Sequence, residues 1–133
     1  MDLLTVSIVT PGRQVTVAEV REVRAPSALG QVGILPGHTP LLADLMPGTV
    51  ELVGPDHSEG LAVSGGFLEV DRDHVIVLAE TAERAMEIDV ERARRALGQA
   101  EALLKKLGPA DAGYDEAALR AERAQARLAV AAH

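Results

Sequence analysis

The sequence contains no cysteine and no tryptophan, and only one phenylalanine and one tyrosine among its 133 residues. Without thiols there is no disulfide framework, no thiolate metal site and no cysteine nucleophile. Bases have almost no aromatic platform on which to stack, and a formal net charge of −7 opposes contact with a phosphate backbone. Nucleic acid is therefore not an expected partner. No apolar run approaches the ~18 residues that a membrane-crossing helix needs. Asp2 follows Met1 with no basic-then-apolar leader, which leads to the expectation of a cytoplasmic chain that spans no membrane. The core has to be assembled from Val, Leu, Ile and Ala. At 47% apolar residues the chain can build one domain, or a domain with an appendage.

What is there divides the chain in two. Up to about Leu78 apolar residues recur at every second position, as in Leu4, Val6 and Ile8, then Val15 and Val17, Val50 and Leu52, Leu61 and Val63, Val75 and Val77. Period two means half-buried strands. The intervening stretches "TPGR", "LPGHTP", "MPGT" and "VGPDHSEG" are rich in turn residues, so the first part reads as an all-β sandwich or barrel. From Ala79 the residues become Ala, Glu, Arg and Leu, and the apolar spacing moves to three and four. Val90, Ala93, Leu97, Ala100, Leu104 and Leu107 form one stripe, with Asp89 placed as N-cap and "GP" at 108 and 109 as the stop. A second stripe runs Ala117, Ala121, Ala124, Leu128, Ala131, with Asp115 as the expected cap. The short link "GPADAGY" makes the pair an antiparallel hairpin. The predicted division is residues 1–84 as the β part and 85–133 as the hairpin. Charge divides the same way: four basic against twelve acidic side chains precede Arg84, and nine against eight follow from it, which suggests different partners for the two parts.

Candidate chemistry is sparse. His38, His57, His74 and His133 stand at no recognisable ligand spacing, and His38, between two prolines in "GILPGHTPLL", reads as a turn residue. A nucleophile elbow around Ser64 would need glycine where Ala62 stands, and no phosphate-binding Gly-rich motif is present. The pair Gly65 and Gly66 reads as a hairpin or bulge. No catalytic residues and no metal ligands are therefore assigned. The helices gather Arg92, Arg94, Arg95, Lys105, Lys106, Arg120, Arg123 and Arg127. These form either a solvated face with acid–base pairs such as Glu101 with Lys105, or a surface for an acidic partner or a phosphate.

The words "VTP", "GILPGHTPLL", "VSGGFLEV", "VIVLAETAERA" and "IDVERARRA", in this order and spacing, resemble the epsilon subunit of bacterial F-type ATP synthases over essentially the whole chain. The resemblance implies a flattened β-sandwich of about ten strands followed by the hairpin. It also implies a non-enzymatic rotor subunit of a proton-translocating complex, bound to the gamma subunit and resting on the c-ring, peripheral to the cytoplasmic side of the bacterial plasma membrane. Residues matching Ser27, Ala28, Leu29, Gly30 and Gln31, with the His38 loop, would face the ring. The hairpin is similar to an arm that extends and blocks ATP hydrolysis, its basic residues Arg94, Arg95, Lys105, Lys106 and Arg120 meeting an acidic loop of the beta subunit. Some members bind ATP on the folded hairpin. Ile88, Asp89, Arg92 and Ala93, preceded by Glu83 and joined by Arg123 and Arg127, match that motif, while Gln99 stands where the resemblance implies a further arginine. ATP would then be a regulatory ligand, with no cofactor required. The residues alone also leave open a reading of another class: a free-standing ligand-binding sandwich or a small metalloprotein using His38, His57 and His74.

Overall fold

The computed structural model describes residues 2–132, so His133 lies outside the described residues. Ten strands are followed by two helices: β1 (Leu4–Thr10), β2 (Arg13–Val20), β3 (Glu22–Ser27), β4 (Gly30–Ile34), β5 (Leu41–Leu45), β6 (Gly48–Val53), β7 (Ser58–Val63), β8 (Gly66–Asp71), β9 (His74–Ala79), β10 (Ala82–Arg84), α1 (Val90–Lys106) and α2 (Tyr114–Ala131). The expected sandwich and hairpin are both present. The strands run β10-β7-β6-β3-β5-β8-β9-β1-β2, with β4 on the other edge of β3. Only Ser27 opposite Leu45 joins β3 to β5, and there the sheet folds over into its two layers.

Alternation dictates what lies between the layers. Leu4, Val6, Ile8, Val50, Leu61, Leu68, Val75 and Val77 are at most 2% exposed, and most of the residues between them point outward. At β2 the expected alternation fails. A bulge opposite Ile8 and Val9 leaves Val15 without a register partner, so Val15 is buried while Val17 is 51% exposed. A bulge reverses which face the following residues present. Gly65 and Gly66 form no hairpin, since β7 and β8 are not neighbours; they carry the chain from one layer to the other. Both have positive φ, +129° and +137°, and a Cβ on Gly66 would fall 1.8 Å from the Leu78 carbonyl oxygen.

Asp89 caps α1 as expected, its Oδ1 accepting from Arg92 N–H at 3.1 Å. Asp115 does not cap α2. Gly113, at φ +87°, occupies the N-cap position, and Asp115 falls in the first turn, where its charge favours the helix dipole. Asp111 organises the link instead, accepting from Gly108 N–H at 2.7 Å. The helices meet along an alanine seam in which Ala93, Ala100, Ala117, Ala121 and Ala124 are buried. The hairpin docks through α2, which packs on β6, β7 and β10 and carries α1 on its far side. A second apolar cluster, Ala62, Ile88, Ala126 and Val130, holds this contact apart from the main core.

Candidate functional site

The junction of hairpin and sandwich collects most of the chemistry. β10 hydrogen-bonds to β7 and brings Glu83 under α2, where Arg127 Nε donates to Glu83 Oε1 at 2.6 Å. Both side chains are about 70% shielded, so this pair is less screened than the exposed ones on the helices. Just after β7, Ser64 acts as a fastener for the residue that precedes β10. Its hydroxyl accepts from Thr81 N–H at 3.0 Å and from the Thr81 hydroxyl at 2.7 Å, which accounts for a buried serine without a nucleophilic role. The short 3₁₀ turn Ala85–Glu87 follows. Glu87 accepts from Arg84 N–H at 3.0 Å and from Arg13 at 2.9 Å, and these contacts, the backbone bond first, hold its carboxyl below the ordinary range.

Two clefts open along the α1–α2 seam. The narrower, about 260 Å³, is lined by Glu83, Asp89, Arg92, Ala93, Ala96 and Arg127. The wider, about 700 Å³, is lined among others by Gln99, Lys106, Arg120, Arg123 and Arg127. Ala96 and Arg127 line both, so the two adjoin as a trough along the seam. Of the residues expected at a nucleotide site, Glu83, Asp89, Arg92, Ala93, Arg123 and Arg127 line this trough, although they come from positions up to 44 apart. Ile88 does not: its side chain enters the apolar cluster beneath α2. Arg123 has a buried Nε–H with no partner among the described residues. A buried unpaired donor is costly, and an acceptor in the trough reaches this one only if the Arg123 side chain shifts.

The other expected positions scatter. Arg94 pairs with Glu91 at 2.7 Å and Arg120 with Glu116 at 3.3 Å, while the Glu101–Lys105 pair is not among those formed. Arg94, Arg95 and Lys105 lie exposed on α1 away from the trough, whereas Lys106 and Arg120 line it. On the sandwich, Ser27 is buried and ties its own turn, donating to Gly30 O at 2.7 Å and accepting from Leu29 N–H at 3.1 Å. Ala28, Gly30 and Gln31 are exposed beside it, and Leu29 is 79% exposed at the tip. His38 is a turn residue as read: its backbone N–H donates to Leu35 O at 3.1 Å, and Nδ1 lies 2.6 Å from Thr39 O. This loop and the Ser27–Gln31 turn sit at opposite ends of β4, roughly 16 Å apart for five extended residues. A surface touching both has to lie along that edge strand. Among the described residues no three His, Asp or Glu side chains come together to hold a metal, and His38, His57 and His74 are not brought into one cluster.

Comparison with known proteins fits this geometry. The model of the ATP synthase delta/epsilon chain β-sandwich domain matches residues 3–85, and that of its long α-helix domain matches residues 86–132. The chain belongs to the ATP synthase delta/epsilon family. It is 47% identical over 128 residues to ATP synthase epsilon chain 1 of Syntrophotalea carbinolica, covering 96% of this chain and 93% of that one. It is 49% identical over 131 residues to the epsilon chain of Geotalea uraniireducens, covering 97% and 94%. The epsilon chain of Geobacter sulfurreducens is 47% identical over 128 residues, covering 96% and 93%. Among solved structures, a chain of the Euglena gracilis mitochondrial ATP synthase superposes with a TM-score of 0.80 at 24% identity, covering 98% of this chain and 82% of that one. One from the Tetrahymena thermophila central stalk and c-ring gives 0.61 at 14% identity, covering 96% of each. These two establish the shared fold. The family resemblance read from the motif words is thus correct for both halves of the delta/epsilon chain. Among the described residues no helix is long and apolar enough to cross a membrane.

Proposed function

We propose that this delta/epsilon chain is a non-catalytic central-stalk subunit of a proton-translocating F-type ATP synthase, joining the gamma subunit to the c-ring. It is held at the cytoplasmic face of the bacterial plasma membrane by its partners alone. The c-ring lies along the β4 edge, between the exposed Ser27–Gln31 turn and the His38 loop. The hairpin restrains ATP hydrolysis by leaving the sandwich and reaching the beta subunit, to which it offers Arg94, Arg95 and Lys105. ATP is a regulatory ligand that holds the hairpin down, taken in the trough by Asp89, Arg92, Arg123 and Arg127.

One observation carries this reading: the hairpin is attached by little. Its contact with the sandwich runs through α2 over β6, β7 and β10, where the fully buried apolar cluster is small, Ala62, Ile88, Ala126 and Val130, and the Glu83–Arg127 pair lies beside it. Alanine buries few methylenes at roughly 0.8 kcal/mol each, so a ligand bridging both helices shifts the balance between docked and released states. The test compares ATP hydrolysis by the assembled complex containing the full chain with one containing a chain that ends at Ala85. Faster hydrolysis with retained assembly is expected. Equal rates at low ATP, where the released arm is favoured, would remove the inhibitory role.

A further inference from the structure

The charge along the trough is graded, and the gradient has a direction. At the narrow end the carboxylates of Glu83 and Asp89 stand against Arg92 and Arg127, so charge is balanced there, and Arg127 is engaged by Glu83. At the wide end the walls carry Lys106, Arg120 and Arg123 against the single carboxylate of Glu80. Because the helices are antiparallel, Arg127 lies towards the start of α1 and Arg120 towards its end, so Arg127, Arg123 and Arg120 form a file about 10 Å long at 1.5 Å per residue. Gln99 lines the wide end and contributes no charge.

Resting on the nucleotide reading above, we infer that Lys106 and Arg120 form the outer end of this site and read the terminal phosphate of a nucleoside triphosphate. Both are available. Among the described residues Lys106 has no ion-pair partner, and Arg120 has only the exposed Glu116 at 3.3 Å. An exposed pair of this kind is readily exchanged for a phosphate, whose oxygens accept from a guanidinium fork two at a time. The uncharged base then sits at the narrow, carboxylate-bearing end, where Asp89 and Glu83 can accept from an exocyclic amine. The first two phosphates meet Arg127 and Arg123. A diphosphate stops short of Lys106, so the pair sets the preference for the triphosphate.

The experiment titrates the full chain with ATP, ADP and inorganic tripolyphosphate by calorimetry, for wild type and for a Lys106→Gln, Arg120→Gln double variant. Helix content by circular dichroism checks that the variant is folded, and the charge-preserving variant Lys106→Arg should keep wild-type behaviour. Expected is a loss of roughly tenfold in affinity for ATP and tripolyphosphate with ADP changed less than about twofold. Unchanged ATP affinity in the variant, or an equal loss for ADP, overturns the assignment. If wild type takes tripolyphosphate but not ATP, and the variant loses it, the outer anion site stands while the nucleotide reading falls. If wild type takes neither, both fall.

Discussion

Gly66 shows how one position can hold two layers together. Its φ of +137° and the Leu78 carbonyl oxygen 1.8 Å from any added Cβ leave no room for a side chain. Gly66→Ala should therefore cost at least about 2 kcal/mol in chemical unfolding, because strain and a backbone clash add. A change below about 0.5 kcal/mol would show that the layer crossing yields. Glu87 makes a pH-dependent contribution. A carboxyl held below its ordinary 4.5 stabilises the fold fully above that value, and the contribution is lost as pH falls through the lower folded-state value. The stability gap between wild type and Glu87→Gln, measured by urea unfolding, should be present at about pH 7 and shrink towards about pH 3. A gap that widens with acid would assign the wrong sign to the Arg84 and Arg13 contacts.

Among the elements, α2 is the one with two jobs. Ala117, Ala121 and Ala124 serve the seam with α1, while Ala126 and Val130 press on the outer face of β7 beside Ala62. The approach is close because Gly60 offers no side chain: a Cβ there would stand 3.3 Å from Thr49 Cγ2 and 3.8 Å from Val130 Cγ2. Gly60→Leu should wedge α2 off the sheet at a cost of about 1–3 kcal/mol. Hydrogen exchange is the measurement of choice, with faster exchange expected in α1 and α2 and unchanged protection in β1, β8 and β9. Uniform loss of protection would mean that hairpin and sandwich share one cooperative unit. The α2 stripe was legible in the sequence, since spacings of three and four need only helical geometry. Its second face was not, because Ala126 and Val130 look like ordinary solvent-side residues until the sheet that covers them is known.

The whole molecule is a sandwich with a helical hairpin docked on its outer face through α2. Its main core contains no helix residue, so a chain ending at Ala85 should still unfold in one cooperative transition, followed by denaturant melts at two wavelengths. Non-coincident melts, or no transition at all, would show that the hairpin is needed to complete the β part. The sequence by itself determined the element types and the Asp89 cap, since these depend on local backbone period and on groups within one helical turn. It also placed His38 in a turn. Tertiary structure alone decided which strands neighbour which, the bulge that buries Val15 and exposes Val17, and the burial of β7 on both faces from Leu61 to Val63. It alone decided the trough, in which Glu83 meets Arg127 across 44 residues and Arg123 keeps an unpaired donor. Contacts between distant segments depend on how layers stack and where the arm lands, and no local period in the chain encodes that.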